Sequence, residues 1–143
     1  MSGVTFVVKG NPVGKQRART FTTSKGIVRT ITPDKTRNYE KLIAYEYKRQ
    51  CPNTYFTGEL TVVINAFYAI PKSWSKKKQK QALEGEIRPQ TKPDISNVLK
   101  SFEDALNEVA YKDDSAIVSV YGHKYYSNEP RVEVTILGDW VRV

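Results

Sequence analysis

The sequence predicts an α+β domain: a mixed or mainly antiparallel sheet with helices packed on at least one of its faces. Three observations predict it. Segments near 4–9, 60–70 and 131–137 place apolar residues on one face with the two-residue period of a strand, and residues 116–125 read as a further strand. Two others, after Asp34 and after Asp94, carry apolar residues at helical spacing. No repeat, linker or low-complexity tract interrupts the 143 residues, a length that suits one domain spanning 1–143.

Each element has its own justification. In residues 4–9, Val4, Phe6 and Val8 share a face, and Gly10-Asn11-Pro12 ends the strand. A basic loop follows, Lys15-Gln16-Arg17-Ala18-Arg19. Residues 20–32 are rich in β-branched side chains around Ser24-Lys25-Gly26, which predicts a hairpin. Thr32-Pro33-Asp34 marks a helix start, and Tyr39, Leu42, Ile43 and Tyr47 give that helix its apolar stripe up to Cys51-Pro52-Asn53. Residues 60–70 form the longest strand candidate. Leu60, Val62, Ile64, Ala66, Tyr68 and Ile70 line one face, and Val63 and Phe67 keep the other partly apolar, which predicts a central strand covered on both sides.

The basic segment 72–91 holds a short helix from Ser75 to Leu83. Pro89 and Pro93 keep the approach to Asp94 extended. A helix from Ile95 to Val109 follows, with Val98, Leu99, Phe102, Ala105, Leu106 and Val109 as its stripe and Asp94 or Ser96 as its N-cap. The opposite stripe runs Ser96, Lys100, Glu103, Asn107. Strands at 116–125 and 131–137, joined by Ser127-Asn128-Glu129-Pro130, predict an antiparallel hairpin.

Composition narrows the function. The single cysteine, Cys51, excludes an intrachain disulfide and is read as structural, as expected of an intracellular protein. The start has no basic region before its short apolar stretch, and no apolar run approaches the ~20 residues that span a bilayer. A cytoplasmic protein with no membrane partner is expected. The net charge of +8 points to an anionic partner, above all nucleic acid. Its distribution says more. Residues 9–50 carry eleven Lys/Arg against three Asp/Glu, and residues 72–92 carry seven against two. Residues 93–115 reverse the balance, with two against six. Carboxylates repel phosphates, so an acidic island in a basic chain suits a site that recruits a divalent cation to bridge carboxylate and phosphate.

That island reads Lys92-Pro93-Asp94-Ile95-Ser96-Asn97-Val98-Leu99-Lys100, then Asp104-Ala105-Leu106-Asn107, then Asp113-Asp114. Phosphodiester hydrolysis needs an activated water and charge stabilisation at the phosphoryl and leaving oxygens, which carboxylate-held Mg²⁺ and a nearby lysine supply. Asp94, Asp114 and Lys100 are of the right types. A helix of ~14 residues is ~20 Å long, so its two ends meet only if the chain after Tyr111 turns back along it. The single histidine, His123, argues against a His-based nuclease or a His-rich metal site.

The island resembles the RusA family of Holliday junction resolvases, whose pattern is roughly Lys-Pro-Asp-x-Asp-Asn-x-x-Lys, Asp-Ala-Leu-Asn, Asp-Asp. Gly14 to Arg19, Pro71 to Ser75 and Pro130 to Val134 resemble other recurrent stretches of that family, so the likeness covers nearly the whole chain. The resemblance implies a RusA-like fold and a homodimer. It implies a Mg²⁺- or Mn²⁺-dependent endonuclease, of a kind found in bacteria and prophages, that resolves four-way DNA junctions in recombination and repair. A small-molecule substrate is not expected. Asp94 and Asp114 would be metal-binding carboxylates, Lys100 the catalytic lysine, Asp113 a supporting metal-site neighbour and Asn97 an orienting group. Lys15, Arg17, Arg19 and Lys76, Lys77, Lys78 are the expected DNA contacts.

One position departs from the pattern: Ser96 stands where the family has its second aspartate. Serine is neutral and a weak ligand. Glu103, seven residues on and ~10 Å along the same helix face, is the candidate replacement. The alternative reading is a catalytically impaired or non-catalytic junction-binding protein. The blander readings are an N-cap for Asp94, a plain i,i+4 ion pair for Lys100 and Asp104, a polar turn for Asp113-Asp114, and simple packing for Trp74.

Overall fold

The computed structural model describes residues 2–143. It has six strands and three helices in the order β1 (Ser2–Lys9), β2 (Arg19–Thr22), β3 (Val28–Ile31), α1 (Asp34–Gln50), β4 (Thr54–Ala69), α2 (Lys76–Leu83), α3 (Ile95–Leu106), β5 (Ile117–Ser127) and β6 (Arg131–Arg142). Four strands form one mixed sheet in the order β1-β6-β4-β5. β6 pairs antiparallel with both β1 and β4, and β4 pairs parallel with β5. β2 and β3 form a separate two-stranded ribbon whose eight residues are all exposed.

The two-residue period decides which side chains are buried. Phe6 and Val8 of β1, Val132, Val134 and Ile136 of β6, and Leu60, Val62, Ile64, Ala66 and Tyr68 of β4 share the inner face and are buried. On that face lie α1, through Tyr39, Ile43 and Tyr47, and α3, through Val98, Phe102 and Leu106. Phe6 meets Tyr47 edge-on at 5.3 Å, and Phe102 meets Tyr39 edge-on at 5.8 Å. Phe102 thus joins α3 to both the sheet and α1, and removing its ring would cost about 3–5 kcal/mol. Cys51 is buried and unpaired, as its structural reading requires.

Three expectations are corrected. β4 is central but covered on one side only: Thr61, Val63, Asn65 and Phe67 remain partly exposed, because both large helices lie on the inner face. β5 and β6 do not form a hairpin. β4 lies between them, with an alternating pattern that offers ladder partners to each, so the Asn128–Pro130 turn crosses the end of β4. Last, α3 ends at Leu106, not Val109. Asn107 is its C-cap and Glu108 takes a left-handed φ of 63°, so the chain turns, and buried Ala110 and Tyr111 re-enter the core from the loop.

Candidate active site

α3 is the platform of the site. Its apolar stripe is anchored in the core, so its opposite stripe, Ser96, Lys100 and Glu103, is held toward the outside. At its entrance Asp94 occupies the N-cap position but accepts no capping hydrogen bond through its side chain. The carboxylate, half exposed, pairs instead with Lys92 at 3.2 Å. The loop beneath is tied down by Tyr68, whose hydroxyl donates to the Pro93 carbonyl at 2.5 Å.

The far end is built by the returning chain. Tyr111 donates through its hydroxyl to the Glu103 carbonyl at 2.9 Å, which fixes the loop against the helix. Asp113 then caps a single 3-10 turn, Asp114–Ala116, by accepting from the Ser115 N–H at 3.0 Å. Those hydrogen bonds hold its carboxyl below the ordinary aspartate range. The turn brings Asp114 to Lys100 at 3.6 Å. Lys100 also bonds Asp104 at 3.0 Å, and its ammonium is held above the ordinary lysine range by that bond first and by the Asp104, Asp114 and Glu103 charges. Burial, and then the charge of Asp114, push the Glu103 carboxyl up.

Asp104 extends the arrangement across the molecule. It also pairs with Lys15 at 3.1 Å, and Lys15 reaches Glu40 of α1 at 2.6 Å. Charges of alternating sign therefore run Glu40, Lys15, Asp104, Lys100, Asp114. Burial works against the Lys15 charge, but its bonds to Glu40 and Asp104 outweigh it and leave that ammonium above the ordinary range. The loop carrying Lys15 is docked on α3 as well: its N–H donates to the Asn97 carbonyl at 2.9 Å, and Ser101 donates to the Val13 carbonyl at 3.2 Å.

The structure thus brings Asp114 and Glu103 to Lys100 and leaves Asp94 at the helix entrance beside Lys92. Among the described residues, no group of three or more His, Cys, Asp or Glu side chains is placed to hold a metal ion. A closed three-carboxylate cage is therefore not what these residues form, and Ser96 contributes no carboxylate between the two ends. Asp114 and Glu103 do fit the donor set of a Mg²⁺ that keeps several waters and shares a substrate phosphate, a mode needing only one or two protein carboxylates.

Of the basic residues, Arg17 and Arg19 are exposed where the loop enters the β2–β3 ribbon, while Lys15 is held between its two carboxylates. Lys76 and Lys77 are exposed on α2, and Lys78 lies over the Trp74 ring at 4.0 Å. Trp74 itself packs edge-on against Tyr126. Reading the sequence missed Glu40. Its signal was faint: a lone acid at the edge of the α1 apolar stripe, next to buried Tyr39.

The family model described as "Endodeoxyribonuclease RusA" matches residues 9–137. The chain is also similar to a protein of Bacillus subtilis (strain 168) described as "Uncharacterized protein YqaN". The two are 39% identical over 138 residues, which cover 95% of this chain and 96% of that one.

Proposed function

Because the chain belongs to the RusA family of endodeoxyribonucleases, we propose that it is a structure-selective endodeoxyribonuclease that cuts four-way DNA junctions in recombination and repair, with Mg²⁺ or Mn²⁺ as cofactor. The observation that carries this reading is Lys100, a cation locked between Asp104 and Asp114 and beside Glu103 on the outer stripe of a rigid helix.

Each residue has a role in it. Lys100 keeps its proton and faces the negative charge that grows on the phosphoryl oxygens. Asp104 is a positioning residue that aims Lys100. Asp114 and Glu103 are the carboxylates beside the reacting phosphate, and Asp94 approaches from the helix entrance. Asp113 supports Asp114 by capping its turn. The bound cation would polarise the phosphoryl oxygens and ease deprotonation of the attacking water. Arg17, Arg19 and Lys76 to Lys78 follow the DNA backbone, and Lys15 adds its charge from between Glu40 and Asp104. Two copies form a two-fold dimer, since a symmetric junction offers two equivalent strands to cut. The exposed Tyr121 and the partly exposed Val63 and Leu137 on the outer sheet face supply an apolar surface for that pairing.

Two specific observations, Ser96 and the absence of a three-carboxylate group among the described residues, favour a second reading: a junction-binding protein that does not cut. One experiment separates the two. A labelled four-way junction is incubated with the wild-type protein and with Ser96→Asp, with and without Mg²⁺. The nuclease reading expects metal-dependent paired nicks from the wild type. Binding without nicks, with cleavage restored by Ser96→Asp, establishes the second reading. No preference for the junction over plain duplex overturns both.

A further inference from the structure

A cleft of about 390 Å³ lies beside Asp94, between the Pro12–Gln16 loop and the start of α3. That volume is in the range of small-ligand sites, about 300–1,000 Å³. Its polar lining is Lys15, Lys35, Lys92, Gln16 and Asn97, with no carboxylate among the lining residues. The three lysines differ. Lys15 is already held by Glu40 and Asp104, and Lys92 by Asp94. Lys35 makes no ion pair among the described residues and stands exposed on the first turn of α1.

The walls are fixed to each other. The Lys15 N–H bonds the Asn97 carbonyl at 2.9 Å, and the Gln16 N–H bonds the Thr36 hydroxyl at 3.0 Å. Gly14 sits so close to α3 that a Cβ there would lie 2.8 Å from the Pro93 Cβ. Two free carboxamides and an unpaired ammonium therefore converge across a rigid gap: donors without a matching anion.

We propose that this cleft binds one phosphate of a DNA strand, adjacent to the phosphate that is cut, with Lys35 and Lys92 as the charges and Gln16 and Asn97 as hydrogen-bond donors. The inference rests on the nuclease reading and adds to it a site that sets the strand's register against Asp94. From the cleft the chain continues through Arg17 and Arg19, so the strand has a cationic track to follow.

Binding of a fluorescent four-way junction is measured in Ca²⁺ across a salt series, for the wild type, Lys35→Gln, Gln16→Ala and a control, Lys48→Gln, toward the other end of α1. Thermal melting checks that each variant folds. Losing one phosphate contact should lower the slope of log affinity against log salt by about 0.9 in Lys35→Gln, with weaker binding to every junction sequence, while Lys48→Gln matches the wild type. Gln16→Ala should weaken binding and keep the slope. The proposal is overturned if Lys35→Gln keeps both wild-type affinity and slope. It is also overturned if inorganic phosphate binds in a Lys35-dependent way while junction binding ignores Lys35, which would make the cleft a site for a free phosphate. If the wild type binds no junction, the nuclease reading falls with it; a change confined to Lys35→Gln tests the cleft alone.

Discussion

At Glu103 a partly buried carboxylate lies near the charges of Asp114 and Asp104, with Lys100 as its cationic neighbour, and the balance pushes its carboxyl up from the ordinary value of 4.5. A carboxyl raised on folding holds its proton more tightly in the native state, so stability falls as pH rises from about 4.5 through the raised value. Glu103→Gln should therefore melt higher than the wild type at neutral pH in chelator-containing buffer. That gain should vanish well below pH 4.5, where both chains are neutral at this position. Cleavage by the same variant should fall at least about tenfold, the size of effect expected of a group acting on the reacting phosphate. Unchanged cleavage would remove Glu103 from the mechanism. At this scale the sequence was informative about chemistry and silent about partners. Asp94, Lys100 and Asp114 stood out by residue type, but the bond from Asp104 to Lys15 spans two elements 89 residues apart and leaves no local trace.

Between elements, the docking of the Pro12–Gln16 loop on α3 depends on one small residue. A Cβ at Gly14 would fall 2.8 Å from the Pro93 Cβ and 3.2 Å from the Asn97 Cβ. Both neighbours sit on the loop and first turn that carry Asp94, so the loop or the helix entrance must shift. Gly14→Ala should destabilise the fold by about 1–3 kcal/mol in a denaturant titration, as overpacking does. Junction binding should weaken with it, whereas an unchanged midpoint would show that the contact is slack. Element positions were largely legible, because strand alternation and helix stripes survive in a single sequence. The end of α3 was not. Val109 continues the apolar stripe, and Ala110 and Tyr111 are buried, yet Glu108 has already left the helix; periodicity registers burial and not the sign of φ.

On the scale of the whole molecule, the inner face of the sheet is closed by α1 and α3, and neither of these helices lies on the outer face. Across it Thr5, Thr135, Val63 and Tyr121 form one row, Val7, Glu133, Asn65 and His123 the next, and Lys9, Arg131, Phe67 and Tyr125 the third. Arg131 lies over Phe67 at 4.0 Å and Arg88 over Tyr125 at 4.6 Å, so cations already cover the aromatic row. The row of Val63 and Tyr121 is the surface proposed for a second copy. Val63→Glu should turn the proposed dimer into a monomer in sedimentation equilibrium at micromolar concentration, with an unchanged fold. A wild type that is monomeric at tens of micromolar would overturn the dimer. The strand order escaped the sequence for a simple reason. Alternation tells which side chains share a face but not which strand lies alongside, and the nearest strand in sequence made β5 and β6 look like partners.

That strand order also governs how the chain can be made. β6 follows the other five described strands in the chain, and it occupies the sheet between β1 and β4, where Thr5 and Thr135 meet across 130 positions of sequence. Until residues 131–142 emerge, β1 has no strand partner in the sheet and β4 has only β5. The strand edges that β6 will fill stay unpaired until then. Pairings this distant close slowly, since the entropy of the intervening loop is lost before the contact returns anything. The four-stranded sheet is therefore completed only after residues 131–142 emerge, and nascent chains stopped short of β6 carry bare strand edges prone to pairing with one another.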